Sequence, residues 1–266
     1  MSYKNIFTAG GLVFLLGILT STVYASHSWN GYHWGRTANP FSLQLGSNVS
    51  SSWSPYLATT ATDWSVSTVL DTVVASGNAK SKSCSGNNGR VEVCNWKYGN
   101  INWLGLAQVW IDGTHITKGV VKVNDTYFNA PPYNTSAWKN LVMCQEVGHT
   151  LGLDHQDEVF DNPNLGTCMD YTSYPETNQH PNQHDYDELA IIYSHLDSTN
   201  TVFSSSSNGG GGNGKNEQTV LGGDINLDNQ SAWGKALRRD AKGKNSLYVR
   251  DIGNGEKIFT FVIWAE

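Results

Sequence analysis

Apolar residues recur along this chain at two different spacings. Trp53, Tyr56, Leu57, Thr60 and Trp64 fall three or four apart, which predicts an amphipathic helix with two Trp on its core face. Trp138, Leu141, Cys144, Val147 and Leu151 repeat the spacing, and residues 134–136, Asn-Thr-Ser, supply N-cap candidates ahead of them. Gln145 and His149 lie to one side of that stripe, at the expected edge of a cleft. Leu189, Ile192, Tyr193 and Leu196 predict a closing helix over residues 186–196. Short β-branched or apolar runs predict strands at 69–74, 90–97, 106–111 and 120–123. Residues 26–36, with His27 and His33 among aromatics, read as a first strand. There is no internal repeat.

The pattern changes at both ends. Lys4 precedes a mostly apolar stretch from Ile6 to Leu19, too short for a membrane span. Val23-Tyr24-Ala25 fits a small-residue cleavage site. Residues 1–25 are therefore expected to be a signal peptide and the rest exported. Residues 198–216 are rich in Ser, Gly and Asn and read as a flexible linker. Beyond it, residues 217–266 form a small C-terminal region. There, two apolar runs, 246–250 and 257–264, flank Gly253-Asn254-Gly255, the signal of a β-hairpin. About fifty residues are few for an independent core, so this region either docks on the rest or binds something itself.

Composition narrows the partners. A net charge of -6 over 266 residues argues against nucleic acid or an anionic membrane surface. No membrane association is expected beyond the export signal, and the chain is expected to be a monomer. Four cysteines in an exported chain suggest two disulfides, with three possible pairings. Cys84–Cys94 would close a Ser/Gly/Asn loop.

The chemistry is concentrated in residues 144–155, Cys-Gln-Glu-Val-Gly-His-Thr-Leu-Gly-Leu-Asp-His. Gln145 and His149, four apart, stack on one helix face with Glu146 beside them. Gly152 can end the helix, and the chain can bring His155 back to the same spot. The stretch resembles the metzincin signature H-E-x-x-H-x-x-G-x-x-H, most closely that of matrixin-like secreted members, with Gln145 where the first His stands. Residues 166–171, Gly-Thr-Cys-Met-Asp-Tyr, resemble the Met-turn of these enzymes.

The resemblance implies an α+β, zincin-like fold over residues 26–197. Its parts would be a twisted mixed sheet, a site helix, a closing C-terminal helix, and the small β appendage. It implies a secreted zinc metalloendopeptidase acting on protein or peptide substrates. His149, His155 and Gln145 would hold Zn2+, Glu146 would be the general base, and Met169 would floor the site. Tyr171 would be an extra ligand or oxyanion donor, or else a packed aromatic. Cys144–Cys168 would tie the site helix to the Met-turn, unless both are buried thiols. Gly119 to Asn124 is where the resemblance puts an edge strand along which substrate lies. An amide oxygen is a poorer zinc donor than imidazole. The third ligand therefore stays open among Gln145, Asp154 and a distant His115, His180 or His184. A non-catalytic binding protein on the same scaffold is the remaining alternative.

Overall fold

A computed structural model describes residues 26–203 and 227–265. The expected signal peptide, and most of the expected linker with residues 217–226, lie outside these. Residues 198–203, expected to open the linker, pack on the preceding fold: Thr201 N–H donates to Gly35 O and Phe203 N–H to Gly89 O. No helix among the described residues is long and apolar enough to cross a membrane.

Among the described residues the fold is α+β, built on one mixed, nine-stranded sheet. Its strands are β1 (His33–Trp34), β2 (Phe41–Asn48), β3 (Leu70–Ser76), β4 (Val91–Trp96), β5 (Trp103–Asp112), β6 (His115–Asn124), β7 (Lys235–Arg239), β8 (Asn245–Gly253) and β9 (Glu256–Trp264). The order is β3-β2-β4-β6-β5-β9-β8-β7, and β1 pairs with the start of β6. The helices are α1 (Ser54–Trp64), α2 (Asp125–Phe128), α3 (Ser136–Thr150) and α4 (Gln183–Ile192). The expected strands and the first two expected helices form, but the closing helix runs over Gln183–Ile192 rather than 186–196, with Tyr193 as its C-cap and Leu196 exposed beyond it. Two further differences lie at the start. The aromatic stretch 26–36 gives only the two-residue β1, and the first long strand is β2.

β6 is not an edge strand. It pairs with β4 in parallel on one side and β5 antiparallel on the other, so no extended peptide can add along it. The C-terminal region docks on the rest of the chain, as one of its two expected alternatives. β8 and β9 make the expected hairpin across Gly253-Asn254-Gly255, but β9 continues antiparallel along the whole of β5. Side chains alternate across a strand, and β9 uses both faces. Phe259, Phe261 and Ile263 join the main core, while Val262 and Trp264 join a second cluster with Trp103, Leu106, Trp233 and Tyr248. Sharing the main core removes the need for this segment to build a core of its own.

α3 packs against β5, β6, β9 and α1. Its N-cap is Thr135, whose side chain accepts from Trp138 N–H. The last carbonyls of a helix have no partner within it, and here aromatic side chains supply donors. Trp29 Nε1 donates to His149 O at 3.2 Å, Trp34 Nε1 to Thr150 O at 2.8 Å, and the Tyr193 hydroxyl to Leu151 O at 2.9 Å. The C-terminal end of α3 is thereby fixed by both the N-terminal segment and the residue that follows α4.

Candidate metal centre

The turn after α3 requires glycine at 152. Its φ is +102°, and a Cβ there would come within 2.5 Å of Tyr32 O. The reversal aims Leu153 O back at the helix, where it accepts from His149 Nδ1 at 2.9 Å. A carbonyl only accepts, so Nδ1 carries the proton and Nε2 keeps its lone pair. His155 has the same arrangement. Its Nδ1 lies 2.7 Å from Glu158 Oε1 and donates to it, leaving Nε2 as the available donor atom. The two rings meet edge to face with centroids 4.5 Å apart. A carboxylate or carbonyl fixing the far nitrogen is the usual outer shell of a zinc-bound histidine.

Gln145 and Glu146 lie on the same helix, four and three residues before His149. Both amide atoms of Gln145 and Oε2 of Glu146 are buried with no hydrogen-bond partner in the protein. Leaving such atoms unpaired costs about 1–3 kcal/mol each, so the buried amide and carboxyl fit a cation. Burial pushes the Glu146 carboxyl well above its ordinary range. Burial, and then the neighbouring His155, hold His149 well below the ordinary histidine value, so it is kept as the neutral, ligating form. Glu146 reaches the sheet because β5 has glycine at 105, where a Cβ would lie 3.0 Å from Glu146 Oε1 and 2.5 Å from Val142 Cγ1.

The segment 166–171 lies under the helix. Met169 is fully buried, and a Cβ at Gly148 would sit 2.6 Å from its Sδ. The disulfide Cys144–Cys168 joins α3 to this turn, and Cys84–Cys94 closes the loop before β4. Gln156 N–H donates to Met169 O and Tyr171 N–H to Asp157 O, so the segment carrying His155 is stapled to the same turn.

The remaining candidates do other work. Asp154, His155 and Glu158 bring their ligand-type atoms within 4.8 Å of one another, but Asp154 is engaged by a cation of the protein. Arg238 of β7 grips both its oxygens and reaches Glu158 through Nε at 2.9 Å. Burial raises the Asp154 carboxyl, but the Arg238 hydrogen bonds outweigh this and the net shift is downward. His180 pairs with Asp63, His184 stacks on His27, and His115 faces His33 and Asp197. The Tyr171 hydroxyl donates to Val262 O of β9 at 3.1 Å, and its ring lies 4.3 Å from that of His155.

Gln145 and His149 are fully buried rather than at a cleft edge, and β9 covers His149. The Phe261 ring lies flat on His149, centroids 4.1 Å apart and planes 11° from parallel. Sequence reasoning missed Phe261, Arg238 and Glu158. A signal existed only for Glu158, a carboxylate three residues past the second histidine.

No family model and no curated protein matches this sequence. Among solved structures the chain is similar to high choriolytic enzyme 1, a hatching enzyme zinc-protease from Oryzias latipes (medaka fish), with 10% identity and a TM-score of 0.37. That match covers 64% of this chain and 99% of that one, and at this TM-score the likeness carries no argument about the site.

Proposed function

We propose that the chain is a secreted zinc-dependent endopeptidase of matrixin-like metzincin type, held here in a closed form. One observation carries the reading: two histidines with Nδ1 tied meet edge to face, and the helix that carries His149 also carries the unpartnered, buried atoms of Gln145 and Glu146. His149, His155 and Gln145 would hold the ion. When bound, zinc supplies a polarised carbonyl and an acidified water.

The protein's own part is proton handling and positioning. Glu146 accepts a proton from the attacking water and returns it to the leaving amine. Its carboxyl is desolvated, which raises its basicity. Glu158 and Leu153 O hold the imidazoles in the ligating tautomer. Tyr171, released from Val262 O, would carry a donor next to His155. An extended substrate would lie along β5, the antiparallel strand nearest Glu146, and β9 now occupies that edge. An apolar recess of about 200 Å³, lined by Tyr133, Trp138, Phe160 and Ile263 among others, opens beside it and would take a substrate side chain.

The test is zinc content and chelator-sensitive cleavage of an unfolded protein, measured on the full chain and on Phe261→Ala. Zinc in the full chain with cleavage in the variant supports the reading. Absence of zinc and of chelator-sensitive cleavage in both would leave the non-catalytic binding alternative.

A further inference from the structure

Far from Glu146 in sequence, a second group of histidines converges on one carboxylate oxygen. β1 and β6 pair in register, placing His33 directly opposite His115. Behind α4 the chain returns across them, anchored by Asp197 N–H to Arg36 O. Asp197 Oδ1 then stands 3.3 Å from His33 Nε2, 3.2 Å from His115 Nε2 and 3.6 Å from His195 Nε2. His195 Nε2 is also 3.2 Å from His33 Nε2. We propose that His33, His115 and Asp197, closed by His195, form a second zinc site that braces the N-terminal segment against the chain after α4.

Spacing is the first support. Ligand atoms at zinc-bonding distance on a tetrahedron lie about 3.3 Å apart, and the four separations above run from 3.2 to 3.6 Å. Three imidazoles and a carboxylate are also a zinc donor set.

Lone-pair direction is the second. His33 Nδ1 lies 2.7 Å from Gly31 O and must donate to it, so Nε2 of the neutral ring presents a lone pair to a carboxylate oxygen and to another imidazole nitrogen. Facing acceptors repel unless a cation or extra protons lie between them. A divalent ion relieves all of these contacts together.

Preorganisation is the third. Asp197 Oδ2 accepts from Arg36 NH1 at 2.7 Å and from Arg36 N–H at 3.1 Å, which leaves Oδ1 for the cluster. Arg36 is itself held by Tyr193 O and His195 O. His33 is buried and Asp197 nearly so, while the His195 ring is half exposed and can swing on or off as the entry ligand.

Metal-free full-length protein should be equilibrated with buffered zinc, and bound zinc per chain counted for parent, His115→Ala, His195→Ala and His149→Ala. The proposal expects His115→Ala to hold one ion fewer than the parent. His149→Ala should keep that ion whatever happens at the first centre, so failure of the endopeptidase reading is separately visible. His195→Ala, at an exposed position that leaves folding intact, should weaken this site at least about 10–100-fold, the scale seen for losing even an outer-shell partner. Cobalt should give the intense visible bands of a tetrahedral site in His149→Ala and lose them in His149→Ala/His115→Ala. Equal zinc in parent, His115→Ala and His195→Ala, with all folded by circular dichroism, overturns the proposal. So does zinc retained only weakly and indifferently to these changes, which marks an adventitious ion.

Discussion

Phe261 lies flat against His149 at 4.1 Å, so a residue from the last strand covers a nitrogen ligand of the candidate centre. The ring is fully buried, and β9 is held by the whole length of β5 and by the Tyr171 hydroxyl. Phe261→Ala removes the cover and leaves a cavity. Such changes cost about 3–5 kcal/mol. The expected outcome is a lower denaturation midpoint together with faster zinc uptake than the parent. Urea titration and a zinc-indicator time course check the two halves separately.

Glu146→Gln keeps shape and removes the base. The substituted amide still fits beside Gly105. Zinc content is expected to stay at the parent level while cleavage falls by about 10²–10⁴-fold, the usual contribution of a positioned base. A variant that loses zinc as well would place residue 146 among the ligands instead.

Gln145→His should tighten zinc at the first centre. The Gln145 amide is buried without a partner, so an imidazole there replaces a weak neutral donor by a strong one. An increase of about 10–100-fold in affinity, comparable to tuning by outer-shell partners, is the expected result in a chelator competition. Unchanged affinity would show that position 145 does not face the ion.

The Cys144–Cys168 bridge spans 24 residues and ties the site helix to the turn beneath it. Cys144→Ser/Cys168→Ser is expected to lose about 2–4 kcal/mol of stability. Reductant should lower the melting temperature of the parent and have a much smaller effect on the double variant, where only Cys84–Cys94 remains.

The helices were legible because α1 and α3 carry core stripes at helical spacing, and the site segment because His149, Gly152 and His155 are local in sequence. Both disulfide pairings were anticipated, one from the loop it closes and one from the tie it makes under the site. What escaped was non-local. β6 looks half polar, and Lys122 suggests an exposed edge. That lysine is buried in the structure and pairs with Asp228, while burial lowers its pKa. A composition break at residue 198 suggested an appendage, yet no local pattern could say that Phe259, Phe261 and Ile263 finish a core begun by α3. The pairing of His33 with His115 was equally hidden, because it depends on two strands lying side by side.

The pairing of β5 with β9 also bears on how the protein is made. β5 is translated long before its neighbour, and until residues 256–264 leave the ribosome one side of it has no hydrogen-bonding partner. A strand waiting in that state invites association with other nascent chains, and contacts so distant in sequence form slowly. The burden on cellular folding helpers should therefore fall on the interval between the two syntheses, and ribosome-bound chains stopped before residue 256 should be the ones such helpers retain.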